Sequence, residues 1–272
     1  MTKNARLIEF YEALFSEEER LTRREGQLEL VRTQELLERF LPDPPARILD
    51  VGGGTGTYAA WLAERGYQVQ LIDIVPAHVA AAATIGTFTA CVGDARALPE
   101  CDASYDVVLF LGPLYHLRTS HDRRIALREA MRVLRPGGLF VGAFISRAAP
   151  ALDGFVKSWI WEEGRLSNML STMTRGYVEA DRAAGFGKIS YFHLPGEALL
   201  ELKDAGFEQI RLLGVEGPGW IAPDFEEQWS RAEGRDLILH TARACEADPV
   251  FQILSPHLLA FARRAGGASR SP

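Results

Sequence analysis

The residues of this chain best suited to chemistry lie in one run, Ile48-Leu49-Asp50-Val51-Gly52-Gly53-Gly54-Thr55-Gly56. A short apolar stretch ends in an acid and then breaks into glycines at alternate positions, Gly52, Gly54 and Gly56. Tyr58, Ala60, Trp61 and Leu62 follow as the start of a helix that stops at Arg65-Gly66. Glycine lets a backbone turn sharply and approach a ligand with no Cβ in the way. A strand–loop–helix of this kind is a place to bind a nucleoside at the carboxyl end of a parallel sheet. Spacing alone leaves the nucleoside open. The dinucleotide fingerprint G-x-G-x-x-G ends at Thr57 when counted from Gly52 and Gly54. Counted from Gly54 and Gly56 it ends at Ala59, a permitted variant.

A second acid narrows the reading. Residues 68–74 form a strand pattern with Asp73 at its carboxyl end, where a carboxylate can accept hydrogen bonds from both ribose hydroxyls. The plainer role for Asp73 is to cap the helix that starts near Pro76. Gly93-Asp94 offers the same choice between a ligand contact and a turn-former.

These residues need elements to hold them. Residues 5–40 have helical periodicity, broken near 21–25, and Leu41-Pro42-Asp43-Pro44-Pro45 ends that region. Strands are expected at 47–51, 68–74, 87–94, 105–112 and 139–146, with a helix at 77–83. The 105–112 run is apolar enough to be covered on both faces. A helix begins near Ser120 and places Leu127, Ala130, Met131 and Leu134 on one face. Arg135-Pro136-Gly137-Gly138 then reads as a stop and turn. Alternation of this kind indicates a doubly wound parallel sheet. It lapses over 147–189, a stretch with Trp159, Trp161, Met169, Met173 and Tyr177 but no strand pattern. It resumes with a helix at 194–205 and strands at 208–216 and 255–264.

The composition, 47% hydrophobic and 24% charged over 272 residues, suits one α/β domain with an appendage. A net charge of −6 and a pI near 5.6 argue against a sequence-independent nucleic-acid binder, which needs a basic face. Cys91, Cys101 and Cys245 have no C-x-x-C spacing and suggest buried free thiols in a reducing compartment. No run is apolar for long enough to span a bilayer, and Glu17-Glu18-Glu19 stands where a signal peptide would be apolar. A cytoplasmic location is expected. No internal repeat is visible, and low complexity is confined to 80–83 and 266–272.

Taken together, D-x-G-x-G-x-G at Asp50–Gly56, Asp73, Gly93-Asp94-Ala95, the 105–112 strand and Arg135-Pro136-Gly137-Gly138 resemble the class I S-adenosylmethionine-dependent methyltransferases. Leu111-Gly112-Pro113-Leu114-Tyr115-His116-Leu117 is similar to a segment of the bacterial small-molecule members. The resemblance covers 47–264 and is strongest over 48–140. It implies a Rossmann-like, mostly parallel seven-stranded sheet whose last strand is antiparallel. It also implies an N-terminal helical cap over 1–44, a cofactor-binding core over 45–146 and a lid insertion after the fifth strand over 147–189. The rest of the core would span 190–265, with a flexible tail at 266–272.

For the site, the resemblance implies S-adenosyl-L-methionine held by the backbone at Gly52, Gly53, Gly54 and Gly56, with Asp50 orienting the aminoacyl end. Asp73 would hold the ribose, Ile74 would lie against the adenine, and Asp94 and Ala95 would meet its edge. Leu111 and Gly112 would face the ammonium. Arg32 and Tyr11 are candidates for the carboxylate end, since a guanidinium pairs bidentately with a carboxylate. An ion pair of Arg32 with neighbouring glutamates is the plain alternative.

Methyl transfer from a sulfonium needs a positioned acceptor, and a base only where the acceptor carries a proton. His116 after the fourth strand is the first candidate, with Tyr115 as wall or orienter and His193 as another base. His78, His121, His240 and His257 are assigned nothing, and no metal is expected from the histidine and cysteine spacing. Phe144, Trp159 and Tyr177 are expected to line the acceptor pocket, as would suit a small organic molecule. That acceptor is the expected partner, with no nucleic acid or membrane and with a homodimer left open. A non-catalytic cofactor-binding subunit and a nicotinamide-dependent oxidoreductase are the alternatives. Asp50 and Gly93-Asp94-Ala95 count against the second of these.

Overall fold

The computed structural model describes residues 3–13, 25–177 and 190–266. The expected break near 21–25, the end of the insertion and nearly all of the tail lie wholly or mostly outside the described residues. Two helices come first, α1 (Lys3–Ala13) and α2 (Glu25–Phe40). The alternating core follows as β1 (Arg47–Val51), α3 (Thr57–Glu64), β2 (Gln68–Asp73), α4 (Pro76–Ala83), β3 (Thr89–Val92) and β4 (Tyr105–Phe110). After β4 come the single turn α5 (Pro113–His116), α6 (Ser120–Val133) and β5 (Leu134–Ile145).

The seven strands form one sheet in the order β3-β2-β1-β4-β5-β7-β6, where β6 is Phe207–Gly214 and β7 is His257–Arg264. β1 pairs parallel with both β2 and β4, whereas β7 runs antiparallel to β5 and β6. The chain winds outward from β1 through β3 and then returns to place β4 on β1's other side. Above β1 and β4 the connections therefore diverge, which opens a crevice at the strands' carboxyl ends.

Period-two alternation builds two cores from one set of strands. Leu49, Ile72, Val108, Phe110 and Phe140 face α6 residues Leu127 and Ala130, together with Leu202 of α9 (Pro195–Asp204). Ile48, Leu71, Val107, Leu109 and Val141 face Leu36 and Leu37 of α2 and Leu62 of α3. Each one-residue step along a strand changes the layer it serves.

Some expectations change in detail. β5 begins at Leu134 rather than 139: Tyr105 pairs with Leu134 and Val107 with Leu139, so the Arg135–Gly138 turn is a bulge inside the strand. Gly137 supplies the positive φ, 78°, that the bulge requires. The described part of the insertion after β5, up to Tyr177, is helical, with α7 (Ala149–Val156), a 3₁₀ turn at Trp159–Trp161 and α8 (Arg165–Arg175). It is not the packed apolar wall that its Trp and Met content suggests. Met169 is buried, but Trp161 is 77% exposed and Met173 44%. Cys101 is likewise exposed rather than buried, while Cys91 and Cys245 are half-buried. After β6, α10 (Phe225–Ser230), α11 (Ala232–Cys245) and the turn α12 (Pro249–Gln252) complete the chain before β7. Among the described residues no helix is long and apolar enough to cross a membrane.

Candidate active site

A cavity of about 570 Å³ sits in the crevice above β1 and β4. Each strand end contributes. β1 supplies Asp50 and the loop at Gly52, Gly53 and Gly54, and β2 supplies Asp73 and Ile74. Asp94 and Ala95 follow β3, and Leu111, Gly112, Tyr115 and His116 follow β4. Tyr11 and Tyr177 reach it from α1 and the insertion.

The glycine loop has its shape for steric reasons. Gly52 lies at φ +73°, and a Cβ there would meet Pro113 Cδ at 2.8 Å. Any larger residue would push the β1 loop away from the β4 loop. Gly54, at φ +57°, has open space where its Cβ would be. Its N–H donates to Asp73 Oδ2 at 2.9 Å, which ties the loop to β2. Gly56 begins α3 at φ +95° but does not line the cavity.

The acids differ in what they have left to offer. Asp73 accepts from Gly54 and, through Oδ1, from the Val75 N–H at 2.8 Å, so it braces the chain before α4 and also faces the cavity. Asp94 is fully engaged. Oδ1 accepts from Arg96 N (2.9 Å) and Nε (3.0 Å), and Oδ2 accepts from Arg96 Nη2 (2.6 Å) and Asn4 Nδ2 (3.1 Å). A carboxylate has about four lone-pair positions, so an adenine amino group could enter only in place of one of these donors. Although burial acts to raise the Asp94 pKa, the Arg96 bonds hold it below its ordinary value. Asp50 is the opposite case. It is 1% exposed, and neither carboxylate oxygen has a hydrogen-bond partner. Burial first, and then the charge of Asp73, push its carboxyl up to about 7.

In the same lining, Tyr11 Oη and His116 Nε2 are 2.8 Å apart. Tyr11 also meets the His78 ring edge-on at 5.3 Å. The Tyr115 hydroxyl donates to the Leu111 carbonyl at 2.9 Å. It therefore shapes the wall and is not free to act as a base. Tyr177 faces the cavity with Arg118 5.2 Å above its ring.

Besides Gly56, four expected residues lie outside the lining. Arg32 is completely buried, but it pairs with Glu35 and with Glu246 (2.5 Å) and donates from Nε to the Val215 carbonyl (3.2 Å). It belongs to the ion-pair alternative and is outside the cavity lining. His193 has 0% exposure in the core, edge-on to Phe144 at 4.8 Å and to Tyr191 at 4.6 Å. Burial lowers its pKa and keeps the ring neutral, and no part of it lines the cavity. Phe144 is consumed in the same core, and Trp159 packs over Gly154 while donating to Asp153 at 2.7 Å.

The sequence reading missed Asn4, His78 and Arg96, all of which line the cavity. His78 had a usable signal. It lies in the first turn after Asp73, and the start of a helix that follows a strand's carboxyl end points at the crevice. His78 Nδ1 is 3.6 Å from Asp73 Oδ1. His257, also unassigned, stands 2.6 Å from Glu216 Oε1 and 3.6 Å from Glu29 Oε2, at the start of β7.

Residues 48–138 match the model of the methyltransferase domain family. Over this span the chain carries a methyltransferase domain. It is 33% identical over 161 residues to a malonyl-[acyl-carrier protein] O-methyltransferase of Methylococcus capsulatus, an alignment covering 56% of this chain and 55% of the relative. It is 33% identical over 143 residues to a demethylmenaquinone methyltransferase of Corynebacterium efficiens, covering 52% and 60%. The chain thus spans little more than half the length of these curated relatives. In fold it is similar to the solved S-adenosylmethionine-dependent methyltransferase of Thermotoga maritima described as a possible histamine N-methyltransferase. That likeness has a TM-score of 0.57 at 15% identity and covers 96% and 98% of the two chains.

The cavity fits S-adenosylmethionine, the cofactor that the sequence resemblance implies, on its own observations. Its loop approaches the space without side chains, and a fully buried carboxylate in its lining lacks any partner for its charge. S-adenosylmethionine offers a nucleoside for the loop and a cation for the acid.

Proposed function

We propose that this chain transfers a methyl group from S-adenosylmethionine to a small organic molecule. The bound sulfonium supplies an activated methyl group, open to in-line displacement by an acceptor. The protein's part is then mostly positional, and orientation of that kind can supply about 7–11 kcal/mol of a barrier. The β1 loop and Asp73 hold the nucleoside, while Tyr115 and Tyr177 supply aromatic walls of the same cavity. Where the acceptor carries a proton, the His116–Tyr11 pair takes it, since its ring nitrogen and hydroxyl are already in hydrogen-bond contact at 2.8 Å. The observation that carries this reading is the convergence of that pair, the glycine loop and the unpaired Asp50 on one cavity.

The two relatives are named for methylating a malonyl-acyl carrier protein and a demethylmenaquinone. An acceptor with an apolar or aromatic body suits the lining here, which includes Leu7, Tyr11, Tyr58, Tyr115, Leu117 and Tyr177. Calorimetric titration with S-adenosylmethionine, S-adenosylhomocysteine and NAD, followed by labelled-methyl transfer to an acceptor panel, tests the reading. Binding of the first two and transfer to a small molecule are expected. His116→Ala should lower turnover by about 10²–10⁴-fold on an acceptor that loses a proton, with cofactor affinity unchanged. A clear NAD isotherm without S-adenosylmethionine binding would sink the proposal.

A further inference from the structure

On the β6–β7 side of the sheet, three side chains that do not line the methyl-transfer cavity come together. Glu29 lies near the start of α2, Glu216 follows β6, and His257 opens β7. His257 Nδ1 stands 2.6 Å from Glu216 Oε1 and 3.6 Å from Glu29 Oε2. One ligand atom from each of the three lies within 4.8 Å of the other two. Because the residues stand at positions 29, 216 and 257, no ligand spacing marks them in the sequence.

The surrounding bonds hold this arrangement in place. The Val215 N–H donates to the His257 carbonyl at 3.0 Å, and the His257 N–H donates to Glu216 Oε2 at 3.1 Å. Arg32, three residues after Glu29 on α2, is completely buried and donates from Nε to the Val215 carbonyl at 3.2 Å. The helix is thereby fixed against the chain beside Glu216, while the Arg32 charge is engaged by Glu35 and Glu246. Glu216 is buried, but the His257 side chain is 21% exposed, so the cluster is reachable from solvent.

We propose that Glu29, Glu216 and His257 bind one divalent transition-metal ion, zinc first among them, which ties α2 to the ends of β6 and β7. The donor set selects the ion: an imidazole nitrogen suits zinc, whereas Mg²⁺ and Ca²⁺ favour oxygen throughout. Zinc bonds of about 2.0–2.2 Å set tetrahedral ligand atoms roughly 3.3–3.6 Å apart. His257 and Glu29 already meet that spacing, and Glu216 Oε1 has to draw back from Nδ1 by less than about 1 Å. The metal takes the place of the proton between Nδ1 and Oε1, and the ring keeps its hydrogen on Nε2. Because the unfolded chain holds the three donors apart, metal binding stabilises the fold.

The test is calorimetry of the EDTA-treated full chain with zinc chloride, and with magnesium chloride as the oxygen-preferring control. One Zn²⁺ per chain is expected, with a melting temperature that rises with Zn²⁺ concentration and does not respond to Mg²⁺. Glu216→Gln and His257→Ala should each weaken Zn²⁺ binding by about a hundredfold or more, at least the cost of losing an outer-shell partner. Glu29→Gln, on the less buried of the two acids, decides the matter where those changes unfold the chain, and should weaken binding at least about tenfold. Zinc affinity unchanged in Glu29→Gln and in the other folded variants would assign the ion to an adventitious surface site and overturn the proposal. No binding by the wild type, or an equal response to Mg²⁺, would also overturn it and leave a histidine ion-paired with two glutamates. Methyl transfer uses other residues, so its own test is independent of this one.

Discussion

Two carboxylates of this protein, Glu201 partly buried and Asp50 wholly so, are treated in opposite ways. Glu201, on α9, accepts from Arg123 Nε at 2.9 and 3.0 Å and from Nη2 at 2.6 Å. The same guanidinium lies 3.9 Å over the Tyr191 ring and reaches the Leu117 carbonyl at 2.9 Å. Burial would raise the Glu201 carboxyl, but the Arg123 guanidinium bonded to it brings it down to about 2. Asp50 has no such partners and rises to about 7. The Arg123–Glu201 cluster is complete within the chain and ties α6 to α9. The Asp50 environment is incomplete within the chain, and it lies where a ligand can complete it. A buried acid is thus read by what it lacks rather than by its burial.

The sharpest way to break this comparison is to open the completed cluster. Arg123→Ala leaves Glu201 as a largely buried, unpaired charge, and should cost about 3–5 kcal/mol of stability in urea unfolding at pH 7. The double replacement Arg123→Met with Glu201→Leu should recover most of that loss. A mild effect of the single change would mean that the cluster is not the brace it resembles. The pH dependence has a definite sign. Glu201 has a folded pKa below its ordinary 4.5, so its contribution is present above pH 4.5 and is lost as pH falls towards 2.

Asp50 should behave in the reverse sense. Its folded pKa lies above the ordinary 3.8, so the folded state holds an extra proton between about pH 4 and pH 7. That contribution is full below pH 3.8 and is lost as pH rises through 7. Asp50→Asn should therefore match the wild type near pH 4 and exceed it above pH 7, by at most about 4 kcal/mol without ligand. Equal melting curves at pH 8 would show that Asp50 has a partner after all. Gly52→Ala is expected to do less. At φ +73°, with Pro113 2.8 Å from the new Cβ, it should cost about 1–3 kcal/mol and weaken S-adenosylmethionine binding. Unfolding and calorimetry together check it.

What could be read beforehand follows from the range of each interaction. Strands and helices announced themselves through local period. The alternation of Ile48 with Leu49 and of Val107 with Val108 assigns each residue to one of two helical layers. The lining at Asp50, Asp73 and Leu111 was legible because strand ends in this fold share one crevice. Contacts between distant segments were not legible. Asn4 reaches Asp94 across 90 residues, Tyr11 reaches His116 across 105, and Arg32 finds Glu246 across 214. No local pattern in α1 or α2 records which glutamate or histidine will face it. His193 misled for a related reason. A histidine returning to the core beside Tyr191 has the sequence signature of a site residue, yet its register against Ile145 and Ser146 turns the ring into the apolar layer.

His193 is also the sternest case for the comparison, because both its ring nitrogens are buried and unpartnered although it lines no cavity. Two features separate it from Asp50. Its ring stays neutral, so no charge waits for compensation, and aromatic edges from Phe144 and Tyr191 occupy its faces. The nearest acid, Glu201, stands 3.6 Å from Nε2 and is already satisfied by Arg123. His193→Leu gives up two edge-on contacts worth about 0.5–1.5 kcal/mol each. It also removes unpaired polar atoms whose burial costs about 1–3 kcal/mol. These nearly cancel, so the unfolding free energy should move by less than about 1 kcal/mol, with turnover unchanged. A large loss of turnover at an unchanged melting temperature would return His193 to the catalytic set. It would also show that an unpartnered polar group in this protein marks chemistry even without a cavity or a charge.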